Sequence, residues 1–404
     1  MLEKKCFLVS LTAILVFSTV GFGQSAQQDL ESNWNDFLHY TMIGRLDLAQ
    51  GFAQKIISSD PDPVELLKLS EENVTGYKLL LDMHDKSPEL SELSGKILEI
   101  IEQGRFVLRT NPKIIVSEIK RLSGTERGRI TAQRRLTNAG EYAIPYMLDA
   151  LADSTRTNEF PNITNTLPMI GKDAIRPLVA ALATTNITVK AEIIRALGEI
   201  GYAQSLGYLQ YIVENDISQQ LKGLAARSIK MIDSASAKIP AAELFYRLGD
   251  QYYFHSDSLA PAADFEFANI WFWDKASQKL SRQEVEKDHF NELMAMRCCE
   301  WALKADENIG KAIALWIAAF FKAESTGLGQ PDYFTDGHAD AMTYATTAGP
   351  EYLHQALGRA LKEGNAFVAL GIVEALAANA GEKSLLYRVG TDQPLVASAC
   401  PSVK

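Results

Sequence analysis

The chain has 404 residues, of which 47% are hydrophobic and 22% are charged, and its net charge is −10. This composition argues against a disordered chain and is ordinary for a folded soluble protein. The acidic balance argues against general nucleic-acid binding, which requires a positively charged surface. The length allows two or three globular domains or one extended array of repeats.

The first 23 residues predict a cleaved secretory signal peptide. Lys4 and Lys5 precede an uncharged, mostly apolar run of 15 residues, and Gly21 and Gly23 provide the small residues that precede a cleavage site. We therefore expect a protein that is exported to a bacterial periplasm or secreted. The alternative is that residues 1–23 remain as a membrane anchor, since 18 uncharged residues in a row approach the minimum length of a membrane span.

Three cysteines remain after this segment: Cys298, Cys299 and Cys400. Three cysteines do not make a disulfide framework in an exported protein of this size. The adjacent pair lies in a helical pattern, where neighbouring side chains point about 100° apart and cannot easily join. We expect Cys298 and Cys299 to be buried as small hydrophobic residues; the alternative is a redox or metal site.

Residues 24–113 predict a helical N-terminal region in which residues 24–31 are frayed. Helices are expected at residues 32–58, 64–69, 74–84 and 90–108. Prolines such as Pro61 and Pro112 separate them, because proline disfavours helix at itself and at the preceding residue. The helix that follows Gly44 is similar to the second helix of a tetratricopeptide unit.

Residues 114–233 predict repeated pairs of helices. The clearest helix runs from Asn186 to Gly201, where apolar residues fall on one face and a glycine closes the helix. Three turn glycines are spaced 31 and 30 residues apart: Gly140, Gly171 and Gly201. A helix with one apolar face cannot bury that face alone, so the recurrence predicts stacked helical pairs.

This region resembles the HEAT family of helical repeats, in particular its short bacterial type. Residues 186–212 match the V-R, A-L-G and I-G positions of the family pattern. The matching residues are Val189-Lys190, Ala196-Leu197-Gly198 and Ile200-Gly201. Pro145 and Pro177 fall early in second helices, where a missing N–H is tolerated. The resemblance implies an α-solenoid and by itself carries over no activity.

Residues 234–324 resemble tetratricopeptide helical hairpins. The run from Phe245 to Tyr252 has that family's first-helix pattern, and the run from Trp301 to Asp306 is similar to its second-helix ending. An aromatic insertion separates the two runs and breaks the repeat period: Phe265, Phe267, Trp271, Phe272 and Trp273. We expect these rings to pack within the hairpin; the alternative is that they line a groove as anchors for a partner.

Residues 325–404 predict a loop followed by further HEAT-like repeats. Gly349 and Gly381 are turn glycines 32 residues apart, and residues 366–378 form the helix between them. The last residues, 401–404, resemble the opening of another repeat, and no polar cap is visible. We interpret the chain as a fragment of a longer protein; the alternative is that a partner completes the last repeat.

No pattern in the sequence points to catalysis or to a resident cofactor. The nearest approach to a metal cluster is a group of four residues: Asp332, Asp336, His338 and Asp340. Its spacing fits neither a calcium loop nor a zinc site, so we interpret the group as a polar loop.

The segment Arg105–Arg135 is strongly basic, with nine Lys or Arg against two Glu. In an otherwise acidic chain such a segment is suited to an anionic partner or polymer. The alternative is a solvated helical face that pairs with acidic neighbours. The candidate partner-binding residues are Arg127, Arg129, Arg134, Arg135, Trp271 and Trp273.

The sequence therefore predicts an all-α protein, a right-handed α-solenoid of stacked helical pairs. We expect a non-enzymatic exported scaffold, without cofactor or metal, that binds a protein partner through its helical-repeat surface. One alternative is the regulatory solenoid portion of a larger envelope enzyme or complex. Another is a binder of an anionic envelope polymer through Arg105–Arg135. Nucleic acid is not an expected partner, and a membrane is one only if residues 1–23 stay uncleaved as an anchor.

Overall fold

The structure is a computed structural model that describes residues 27–262, 266–334 and 337–379, together with residues 389 and 394. The predicted signal peptide, the turn at Gly381, Cys400 and the last four residues lie outside the described residues. The described part is mostly helical, as predicted. None of its helices has the length and apolar character needed to cross a membrane.

The chain divides after Glu118 into two compact units. The first unit contains helices α1 (27–42), α2 (Leu46–Ser58), α3 (Pro63–Glu72), α4 (Val74–Lys86) and α5 (Ser91–Thr110), and the division falls within α6 (Pro112–Arg121). Residues 27–31 were expected to fray, but they belong to α1. Leu30 explains this difference, because its side chain is buried in the core of the unit beside Trp34.

The second unit contains helices α7 to α19 and one pair of strands. The helices are α7 (Glu126–Ala139), α8 (Ile144–Ala152), α9 (Phe160–Thr166), α10 (Ile175–Ala181), α11 (Ile187–Ile200), α12 (Leu206–Asn215), α13 (Gln219–Ile232), α14 (Ala241–Tyr253), α15 (Lys287–Ala305), α16 (Gly310–Glu324), α17 (Ala341–Thr347), α18 (Pro350–Glu363) and α19 (Ala366–Ala378). Successive helices pack together, as α14 does with α15, and so do helices two apart, such as α11 with α13 and α12 with α14.

Helix α11 confirms the clearest sequence prediction. The side chain of Asn186 accepts hydrogen bonds from the backbone N–H groups of Thr188 and Val189, and Gly201 ends the helix with a φ of 78°. Gly140 and Gly171 also have positive φ, as a turn glycine requires. Gly349 differs, because it is the N-terminal cap of α18 with a φ of −68°.

Of the aromatic insertion, Phe265 lies outside the described residues, and the rest belongs to a β-hairpin that was not predicted from the sequence. Strand β1 (Phe267–Asp274) pairs antiparallel with β2 (Lys279–Glu286), and Phe267 lies opposite Glu286. Aromatic and β-branched side chains favour a strand when the surrounding structure buries them. Here β1 packs against α10 and α15, and four consecutive residues from Ala268 to Trp271 are buried.

Candidate cationic cleft

A cleft in the second unit lies between the hairpin, the helices α10, α12, α14 and α15, and the segment 331–334. It consists of two cavities of about 320 Å³ and about 230 Å³. Both cavities share one wall, formed by Phe272, Arg297, Trp301 and Lys304. We call the two cavities together the cationic cleft, and its volume is in the range of small-molecule sites.

Hydrogen bonds to one carboxylate hold the hairpin at the cleft. Glu141 accepts from Trp271 Nε1 at 2.7 Å and from Asn269 Nδ2 at 2.6 Å. Asn269 and Trp271 are two residues apart on β1, so their side chains leave the same face of the strand. Arg282 of β2 donates to Asn269 Oδ1 at 2.8 Å. These hydrogen bonds therefore fix the wall of the cleft that β1 provides.

The turn of the hairpin is fixed to the start of α11. Gln278 Oε1 accepts from Thr185 N at 3.2 Å and from Thr185 Oγ1 at 2.9 Å. A further cavity of about 240 Å³ lies on this side of the hairpin, and Trp273 lines both this cavity and the smaller cavity of the cleft. The hairpin is thus held at both ends of β1.

Two cations of the cleft lie over aromatic rings. The Arg297 guanidinium is 4.3 Å from the centre of the Phe272 ring, and Lys304 Nζ is 4.2 Å from that of Trp301. Such contacts attract the cation through the quadrupole of the ring. The rings carry no net charge, so the positive charge of both residues remains available to an anion.

Two further cations line the smaller cavity. Arg176 of α10 lies 4.7 Å from the centre of the Phe290 ring, and its Nη2 is 3.4 Å from the carbonyl oxygens of Leu259 and Ala260. Lys275 lies in the turn of the hairpin and is exposed. Within the described residues, no ion pair is formed by any of the four cations Arg176, Lys275, Arg297 and Lys304.

Burial lowers the pKa of Lys304 below its ordinary value, and the positive charge of Lys275 lowers it further. A lysine without an acidic partner that also faces another cation lies in a positive local field. An anion that bound between them would relieve this repulsion. The electrostatics of the cleft therefore favour an anionic ligand.

The cleft also offers polar groups that donate to nothing in the described part of the chain. They are the hydroxyls of Tyr208 and Tyr333 and the indole N–H of Trp301. Burial raises the pKa of both tyrosines. Glu300 lies at the larger cavity and accepts from Trp316 Nε1 at 3.2 Å. The polar groups of the cleft are mainly donors, which suits a ligand rich in acceptors.

The sequence-predicted residues fall in two places. Trp271 and Trp273 both belong to the cleft wall, but Trp271 is only 4% exposed and its indole N–H is used by Glu141. The four arginines lie on α7, outside the lining of the cleft: Arg127, Arg134 and Arg135 are exposed, and Arg129 is half-buried. The basic segment Arg105–Arg135 continues across the division between the two units.

Sequence analysis missed the cations of the cleft. A signal for two of them was present, since Arg297, Trp301 and Lys304 are spaced i, i+4 and i+7 and therefore share one face of α15. Arg176 and Lys275 carry no such local signal. They join the other two only because the hairpin and α10 meet in the folded chain.

Cys298 and Cys299 are buried free thiols, as predicted. Burial raises the pKa of both thiols, which disfavours the reactive thiolate. In the described residues, no group of three acidic, histidine or cysteine side chains is arranged to hold a metal ion. Of the predicted polar loop, Asp336 lies outside the described residues, whereas His338 stacks on Phe334 at 4.1 Å.

A scan against protein-family models gives no match for this chain, and a search of curated proteins gives none either.

Proposed function

We propose that this chain is a non-enzymatic binding protein and that the cationic cleft holds its anionic ligand. One observation carries this proposal: the four cations of the cleft form no ion pair with the described residues. Two half-buried cations of the same unit do have acidic partners. Lys190 lies 3.1 Å from Asp216, and Lys322 lies 2.6 Å from Glu363.

The two buried tyrosines of the smaller cavity are unsuited to acid–base catalysis near neutral pH. A catalytic acid or base works best when its pKa is near the working pH. Burial raises the pKa of Tyr252 to about 12 and that of Tyr208 still further from neutrality. The Tyr208 hydroxyl therefore stays protonated and is available as a hydrogen-bond donor to a ligand, whereas the Tyr252 hydroxyl accepts from Gln204 Nε2 at 2.6 Å.

The proposed architecture is a right-handed α-solenoid of HEAT-like and tetratricopeptide-like helical pairs. Contacts between helices one and two places apart in the chain support this arrangement. We also propose export to a bacterial periplasm or beyond the cell, on the basis of the signal-like residues 1–23.

The test uses the tryptophans of the cleft as reporters. We expect sulfate and citrate, at an ionic strength held constant with sodium chloride, to change the tryptophan emission of the full chain saturably. The double variant Arg297→Gln/Lys304→Gln should lose this response. The matched control is Arg227→Gln/Lys230→Gln, which removes two exposed cations from α13, outside the lining of the cleft. An equal response in both double variants contradicts the proposal.

A second candidate, a scaffold for a protein partner, is favoured by exposed apolar side chains at the starts of α11 and α13. Ile187 begins α11 and is 60% exposed, and Ile217 precedes α13 and is 98% exposed. Exposed apolar groups of this size are suited to a protein interface. Such a scaffold is also compatible with the regulatory portion of a larger envelope complex.

Affinity capture from an envelope extract tests the scaffold. The double variant Ile187→Ser/Ile217→Ser should lose a discrete protein that the native chain retains. A charge-reversed variant at Arg127, Arg129, Arg134 and Arg135 should keep it. Loss in the charge-reversed variant alone would instead favour an anionic polymer or partner on the basic segment.

A further inference from the structure

The larger cavity of the cationic cleft is a mainly apolar chamber that lies beside cations and one carboxylate, that of Glu300. Leu293 and Met296 of α15 line it, and each is only a few per cent exposed. The rings of Tyr333 and Phe334 close its other side. A ligand that bound only through charge would leave this apolar surface uncovered.

The shared wall places charge at one end of this chamber. Arg297 and Lys304 border both cavities, and each is held over a ring and not by a carboxylate. An anionic group at the wall would contact both cations. The part of the ligand that carries it would extend into the larger cavity.

We propose that the ligand of the cationic cleft is a small amphipathic organic anion, a carboxylate attached to an aromatic or branched apolar body. The body occupies the larger cavity, and the carboxylate faces Arg297 and Lys304. This inference rests on the proposed function for the position of the site and goes beyond it by assigning the chemical class of the ligand.

Several rings at the cleft already contact other side chains. Arg297 lies over the Phe272 ring, Phe245 and Lys304 both contact the Trp301 ring, and Phe334 stacks on His338. The surface that Leu293 and Met296 add is aliphatic, which suits a compact apolar body.

The unused donors match a carboxylate. Its two oxygens accept several hydrogen bonds and form the strongest ones with charged donors. The Trp301 indole N–H borders both cavities, and the Tyr333 hydroxyl borders the larger one. A carboxylate at the shared wall therefore has both cationic and neutral donors around it.

The first test compares three probes by isothermal titration calorimetry on the full chain. The probes are 3-phenylpropionate, acetate and the neutral 3-phenylpropanamide. Burial of an apolar body removes apolar surface from water, so we expect 3-phenylpropionate to bind at least about tenfold more tightly than acetate. The amide should bind at least about tenfold more weakly than 3-phenylpropionate, because it leaves the cations without a counter-charge.

Variants at Tyr333 assign the apolar body to the larger cavity. Tyr333→Phe is the reference, because it keeps the ring and removes only the hydroxyl. Relative to Tyr333→Phe, Tyr333→Ala should weaken 3-phenylpropionate about tenfold and leave the sulfate response unchanged, because sulfate has no body to bury. Equal affinities of the two variants for 3-phenylpropionate would overturn the assignment.

The remaining outcomes separate this inference from the proposed function. If sulfate and citrate produce the response but 3-phenylpropionate binds no better than acetate, the ligand class is wrong and the anion site stands. If no anion produces a response, both fail. If an acetylated tripeptide with a free C-terminal phenylalanine binds and 3-phenylpropionate does not, the ligand is the carboxyl terminus of a protein partner, and this inference is overturned.

Discussion

At the residue scale, the cations of the second unit have two opposite kinds of surroundings. Lys322 lies in a compensated cluster, where its Nζ donates to Glu363 at 2.6 Å and to the Tyr253 carbonyl at 2.7 Å. It also lies 3.8 Å from Glu292, whose side chain is 2% exposed. In the cationic cleft, by contrast, Lys304 has no acidic partner within the described residues. The first arrangement compensates the charge within the fold, and the second is the proposed anion site.

Lys322→Met should be strongly destabilising. Removal of one partner from a buried ionic cluster leaves the other charges uncompensated and costs about 3–5 kcal/mol. Glu363 pairs with this ammonium group, and Glu292 lies between it and His255 Nε2. Urea denaturation of Lys322→Met should therefore show a larger loss of unfolding free energy than denaturation of Glu363→Gln, which leaves the cation with Glu292. An equal or smaller loss in Lys322→Met would contradict the role assigned to the cluster.

Lys304→Met should raise stability and lower anion affinity. Because the folded chain lowers the pKa of Lys304, the unfolded chain binds its proton more tightly. The charged form of Lys304 therefore destabilises the fold. This penalty decreases as the pH rises through the lowered pKa and is gone above the ordinary value of 10.5. The stability advantage of Lys304→Met should shrink over that alkaline range in thermal unfolding. A stability difference between Lys304→Met and the native chain that does not change with pH would show that the folded chain does not disfavour the charged form of Lys304.

At the element scale, helix caps and the hairpin depend on different kinds of contact. Helix α11 takes its bounds from its own neighbours, Asn186 and Gly201. The hairpin depends on partners distant in the chain, since Glu141 holds β1 through Asn269 and Trp271. A change at a cap should therefore alter stability, and a change at Glu141 should also alter the cleft.

Gly201→Ala should lower the unfolding free energy by about 1–2 kcal/mol, the cost of a left-handed conformation for a residue with a Cβ atom. The nearest atom to that Cβ, the carbonyl oxygen of Glu199 at 3.9 Å, gives no steric clash, so the cost is conformational. Gly223→Ala is the matched control. Gly223 lies inside α13 with open space around it, and alanine should stabilise the helix there by about 0.5–1 kcal/mol. The two variants should shift the thermal midpoint in opposite directions, and a shift in the same direction would argue against the helix ends described above.

Glu141→Ala should loosen the hairpin and weaken anion binding. Its removal leaves two buried donors, on Asn269 and Trp271, without this acceptor, which costs about 1–3 kcal/mol. Amide hydrogen exchange of β1 should become faster, and the sulfate response should weaken. Asp149→Ala serves as the control, because Asp149 reaches Lys279 of β2 only through an exposed pair at 3.8 Å. Unchanged exchange in Glu141→Ala would show that the packing of β1 alone positions the hairpin.

At the scale of the whole molecule, a chain of net charge −10 concentrates four cations in one cleft. At 0.1 M salt, interactions between exposed charges more than about 10 Å apart are largely screened, and chloride competes for the same cations. Affinity for 3-phenylpropionate should therefore fall as sodium chloride increases. Lys275→Gln, which removes one of the two exposed cations of the group, should reduce that dependence while leaving the apolar chamber intact. A salt dependence identical to that of the native chain would show that the charge of Lys275 does not contribute to binding of the ligand.

The sequence by itself determined the mostly helical fold, the bounds of α11 and the burial of the two cysteines. These features follow from the period of apolar residues, from caps that touch their own helix, and from the low cost of burying small side chains. All three features are determined by residues that lie close together in the chain. Only the tertiary structure decided that the aromatic insertion is a β-hairpin, because the burial that favours β1 comes from α10 and α15. It also decided the cationic cleft, where Arg176 and Arg297 meet from helices far apart in the chain. Contacts of this kind leave no local period in the sequence, since they form only when distant elements pack together.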